Sequence, residues 1–116
     1  MSIQRHEVGA RMSKVVVHGN TVYLAGIVAN EPKGKSVTEQ TKDIVAQIDG
    51  LLAKAGSDKA KLLSATIYIT DMANFAEMNS VWDTWVVPGN TPARATVEAK
   101  LATPDYKVEI MVVAAK

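Results

Sequence analysis

Between residues 62 and 70 the chain reads Leu-Leu-Ser-Ala-Thr-Ile-Tyr-Ile-Thr, and it is flanked on both sides by segments with helical periodicity. Leu63, Ala65, Ile67 and Ile69 alternate with Ser64, Thr66, Tyr68 and Thr70. A period of two predicts a strand with one apolar face and one mixed face. Before it, Ile44, Ile48, Leu51, Leu52 and Ala55 form one stripe at helical spacing. Ser36-x-x-Glu39 opens that helix as a capping box, and Gly56 closes it. Gly50 inside it predicts a close packing contact. After the strand, Asp71 is placed to cap a second helix whose stripe is Phe75, Met78, Trp82, Trp85 and Val86, ending at Pro88-Gly89. A half-apolar strand between two half-apolar helices restricts the chain to an α+β plan: one sheet, with helices on one face.

The remaining segments add strands. Val15–His18 and Thr21–Gly26, joined by Gly19-Asn20, read as a hairpin. A short extra strand at the start fits the same plan. Two last strands, 93–100 and 106–114, are joined by a turn near Thr103-Pro104-Asp105 and read as a second hairpin. In the last strand Val108, Ile110, Val112 and Ala114 share one face, while Lys107, Glu109, Met111 and Val113 share the other. With Tyr68, Met111 and Val113 on it, the face away from the helices is partly apolar. Another copy of the chain would cover it.

A single domain over residues 1–116 follows from the length. The net charge is +1 with no basic run, which argues against nucleic-acid or membrane partners. There are no cysteines, so disulfide and thiolate chemistry are excluded, and a cytoplasmic setting is expected. The polar start lacks a leader's apolar core, and no apolar run is long enough to span a bilayer. His6 and His18 lack the carboxylate or thiolate partners of a metal site, so no metal is expected.

Arg94 and Glu109 are the pair of chemical interest. A hairpin centred between Leu101 and Ala102 would set them directly opposite, on one face. Such a pair is either an ordinary cross-strand ion pair or a site in which Arg94 grips a carboxylate and Glu109 handles a water. Spacing leaves both open.

The stretches NTVYLAGIVAN, DMANFAEMNSVWDTWV, PARATVEAKL and YKVEIMVVAA carry a resemblance that runs nearly end to end. The ordered signature of Pro-Ala-Arg, then Val-Glu, then a Val-Glu-Ile strand resembles the reactive-intermediate deaminase (Rid, YjgF-like) family. The Trp82-Asp83-Thr84-Trp85 element is similar to its YoaB-like branch. The resemblance implies a chorismate-mutase-like α+β fold and a homotrimer, with the three sheets around a central barrel and active sites in clefts between subunits. It implies hydrolysis of enamines and imines, such as 2-iminobutyrate and 2-iminopropionate, to 2-keto acids and ammonia, without a cofactor. By the same resemblance Arg94 binds the substrate carboxylate, Glu109 positions the attacking water and Asn79 lines the pocket. Thr96 lends a backbone N–H. Met12 stands where the archetype has a tyrosine, and Ala25, followed by Gly26, where it has a serine. Each lost hydroxyl removes a contact of about 0.5–1.5 kcal/mol. A non-catalytic trimer that binds small keto acids is therefore the alternative. RNA cleavage, reported within the family, fits the charge balance poorly.

Overall fold

The computed structural model describes residues 2–116; Met1, the first residue of the expected domain, lies outside them. Six strands, β1 (Ile3–Val8), β2 (Ser13–His18), β3 (Thr21–Leu24), β4 (Leu62–Ile69), β5 (Ala93–Glu98) and β6 (Val108–Ala115), form one mixed sheet in the order β1-β2-β3-β6-β4-β5. All neighbours are antiparallel except β4 and β5. Two helices, α1 (Val37–Lys54) and α2 (Phe75–Trp85), pack against one face.

The hairpin at Gly19-Asn20 forms as expected. His18 faces Thr21, and Gly19 has φ +61°, the left-handed conformation this two-residue turn asks of its first residue. The capping box at α1 is complete: the Ser36 hydroxyl accepts from the Glu39 N–H, and the Glu39 carboxylate accepts from the Ser36 N–H. Gly56 (φ +79°) ends the helix. Gly50 is exposed and faces open space, so the close contact expected there is absent. Asp71 caps a 3₁₀ turn, Met72–Asn74, that leads into α2 rather than α2 itself. Phe75 remains partly exposed because it belongs to the first turn of α2, at the edge of the core.

Val15, Val17, Val22, Ile67, Ile110 and Val112 bury their side chains under Ile44, Ile48, Leu52, Met78 and Trp82. In β4 a bulge interrupts the pairing with β6 between Leu62 and Ser64. Leu62 is therefore the buried member and Leu63 is half exposed, which corrects the strict alternation expected from Leu63 onward.

The larger correction concerns β5 and β6, which do not form a hairpin. β6 lies between β3 and β4, and β5 runs parallel to β4 at the sheet edge. Arg94 faces Ala65 and Glu109 faces Tyr68. The physical reason lies in β5 itself, whose Arg94, Thr96 and Glu98 occupy the face that elsewhere is core. Such a strand can only be an edge. β4, α2 and β5 then form a crossover unit, since parallel neighbours require a long connection.

Candidate active site

The residues singled out from the sequence fall into two groups, on opposite faces of the sheet. Ala65 and Val112, the register partners that align with Arg94 across β4 and β6, are core residues, so Arg94 stands on the helix-covered face. Tyr68 and Val97 align with Glu109 on the open face. Directly opposed residues share a face. The direct Arg94–Glu109 pairing expected from the hairpin is thus excluded within one chain.

The first group surrounds Arg94. Its Nη1 donates to Asn79 Oδ1 of α2 at 2.8 Å. The guanidinium carbon lies 5.3 Å from the Trp82 ring centre and 5.8 Å from that of Phe75, within cation–π range. One hydrogen bond and two rings hold the fork, and its other donors have no partner among the described residues. Arg94 stays exposed because β5 has no strand on its outer side. Thr96 follows two residues along the same face. Its hydroxyl oxygen is buried and has no hydrogen-bond partner among the described residues. Ala99 N–H donates to Ile69 O of β4. Strand alternation then turns the Thr96 N–H the other way, toward the free edge.

The second group surrounds Glu109. A Cβ built on Gly26 would overlap the Glu109 carboxylate, so glycine is what lets the acid lie against the backbone there. Ile27 bridges Ile110 of β6 in both directions, at 2.8 and 3.0 Å, which fixes Gly26 beside Glu109. Ala25 follows the last residue of β3, its N–H donating to Lys14 O at 2.9 Å. Met12, in the turn between β1 and β2, lines a cavity of about 170 Å³ together with Lys14, Gly26 and Tyr106. Met12 and Ala25 bring no hydroxyl to this group.

Gln40 was not singled out from the sequence. It is fully buried; its amide donates to Pro32 O, Lys35 O and Asp105 O, and its carbonyl accepts from Lys107 N–H at 2.9 Å. It ties α1 to the segment entering β6 and so steadies the strand that carries Glu109. A glutamine on the helix stripe was the available signal. Among the described residues no group of acidic, His or Cys side chains could hold a metal, and no helix is long and apolar enough to cross a membrane.

Comparisons with known proteins agree over the whole chain. The family model Endoribonuclease L-PSP matches residues 2–116. The RutC family protein YoaB of Escherichia coli is 49% identical over 115 residues, covering 99% of both chains. A YjgF family member from Neisseria meningitidis superposes with a TM-score of 0.96 at 48% identity, covering 100% of this chain and 96% of that one. A putative translation initiation inhibitor from Salmonella typhimurium does so with a TM-score of 0.90 at 46% identity, covering 99% and 98%. The chain therefore belongs to the Endoribonuclease L-PSP family, which is also the Rid, YjgF or RutC family, and within it is YoaB-like.

Proposed function

We propose that the protein hydrolyses small 2-imino acids and their enamine tautomers to 2-keto acids and ammonia, in clefts between the subunits of a homotrimer. The observation that carries this reading is Arg94: an arginine fork held by Asn79 and Trp82 on an open strand edge, with donors to spare. A planar fork matches the carboxylate that every 2-imino acid carries. In the reaction Arg94 holds C1. Glu109 takes a proton from water as the water oxygen bonds to C2, and the C=N electron pair moves to nitrogen. Glu109 returns that proton to nitrogen, giving a carbinolamine; the carbinolamine hydroxyl then passes its own proton to nitrogen by way of Glu109, the C–N bond breaks and ammonia leaves as the C=O forms. Water is the only co-reactant. Arg94 and Glu109 lie on opposite sheet faces of one chain, so they meet only if one chain supplies the arginine and a neighbour the glutamate. The partly apolar open face is where such a neighbour would pack.

The test is a coupled assay in which a pyridoxal-phosphate threonine dehydratase generates 2-iminobutyrate. Wild type should accelerate release of 2-ketobutyrate, and Arg94→Ala should lower kcat/KM by roughly a hundredfold, the loss of a charge-assisted bidentate contact. An unchanged rate in Arg94→Ala would end this mechanism. The absence of hydroxyls at Met12 and Ala25 favours a second reading, a trimer that binds small keto acids without turnover. Tight 2-ketobutyrate binding by calorimetry, with no imine hydrolysis, would select it. The words endoribonuclease and translation initiation inhibitor belong to the family model and the Salmonella relative. A net charge of +1 gives this chain little hold on a phosphate backbone.

A further inference from the structure

The cavity beside Gly26 contains one charged residue, Lys14, among the described residues that line it. Lys14 lies on β2 directly opposite Ala25, whose N–H it accepts at 2.9 Å, and so shares Ala25's face of the sheet. Its side chain is half-buried, and among the described residues its ammonium makes no ion pair or side-chain hydrogen bond. The acid nearest in sequence, Glu7, is close enough to feel the Lys14 charge but makes its direct ion pair with Lys54 of α1. The other lining groups are apolar or neutral, including Met12, Asn30 and Tyr106. A half-buried cation with no hydrogen-bonded or ion-paired partner for its ammonium among the described residues, at the rim of a cavity of about 170 Å³ that begins beside Glu109, is a receptor for a short anionic arm.

We propose that Lys14 selects substrates carrying a second acidic group, so that the preferred imines are 2-imino dicarboxylates. This inference rests on the deaminase reading for its chemistry. With C1 held by Arg94 and C2 at Glu109, the side chain of the imino acid extends into the cavity and its distal carboxylate meets the ammonium. A reaction that removes two electrons and two protons from the α-amine of an acidic amino acid, with a flavin and oxygen as oxidant, supplies such an imine.

The experiment compares the imines formed by flavin-dependent oxidation of aspartate and of 2-aminobutyrate. Wild type should show the higher kcat/KM for the dicarboxylate. Lys14→Gln should lower the ratio of the two kcat/KM values by about tenfold or more, chiefly through KM, the effect expected of a lost charged hydrogen bond. Lys14→Arg should restore the ratio. A parallel fall for both imines would show a merely structural lysine and overturn the proposal, as would equal wild-type values. Calorimetry with 2-ketoglutarate and 2-ketobutyrate separates this failure from failure of the deaminase reading. If neither imine is hydrolysed yet 2-ketoglutarate binds more tightly and loses that advantage in Lys14→Gln, the deaminase reading falls and the charge preference stands. If neither imine is hydrolysed and the two keto acids bind alike, both fall.

Discussion

Gly26 and Asn79 each act on one charged group, and each can be tested by a single substitution. In Gly26→Ala the new methyl would claim the space of the Glu109 carboxylate. The acid's flexible end can swing away, so the melting temperature should change little while imine hydrolysis drops at least tenfold. Equal losses of stability and activity would mean that Gly26 serves the backbone instead. Asn79→Ala removes the 2.8 Å bond that steadies Arg94 and should cost about 1–2 kcal/mol of substrate binding, read as a higher KM. Two exposed carboxylates set an acid limit. The Lys54 hydrogen bond and charge hold Glu7 below its ordinary value of 4.5, and the Ser36 backbone and hydroxyl do the same for Glu39. A lowered folded pKa means stability that is present above the unfolded value and is lost as pH falls through the folded one. Urea midpoints should therefore decline below about pH 4.5, and Lys54→Ala should make that decline shallower.

Among the elements, the helices and the central strands were legible, while the last strand pairing was not. The capping box and the Ile44–Ile48–Leu52 stripe are local patterns, and the helix follows them. Ser36→Ala should cost about 1 kcal/mol in equilibrium unfolding. Gln40 is different in kind, because its partners come from residues 32, 35, 105 and 107, far from it in sequence or beyond its own helix. Truncating it to Ala would take the partner from the Asp105 carbonyl and the Lys107 N–H, while Pro32 O keeps the Lys35 N–H and Lys35 O keeps the Lys107 ammonium, a loss of about 2–3 kcal/mol. The β5–β6 hairpin was inferred because neighbours in sequence usually pair. Two signals opposed it: polar Arg94, Thr96 and Glu98 on one side of β5, and the β4–α2–β5 succession, which reads as a parallel crossover. The polarity of a would-be core face outweighs the proximity of two strands in sequence.

For the whole molecule, the decisive fact is that Arg94 and Glu109 lie on opposite faces of one sheet. A site using both needs two chains. Equimolar Arg94→Ala and Glu109→Gln, each inactive alone, should regain activity after unfolding and refolding together, in roughly a quarter of the clefts if assembly is random. No recovery would mean that one chain holds the whole site or that the pair does not act together. The open face carries Tyr23, Val97 and Met111 at 47%, 41% and 37% exposure. That is apolar surface which a second copy would bury. Met111→Lys should shift the sedimentation of the protein toward monomer and remove activity with it.

Local chemistry determined the strands, the hairpin turn and both ends of α1. Each depends on residues a few positions apart, where side-chain period and turn preference are written directly in the chain. Which face Arg94 takes relative to Glu109, the need for glycine at position 26, the role of Gln40 and the placing of Lys14 beside the cavity were decided by tertiary structure. Each depends on which distant strand lies alongside, and that is settled by burying the most apolar faces together rather than by any pattern within one segment.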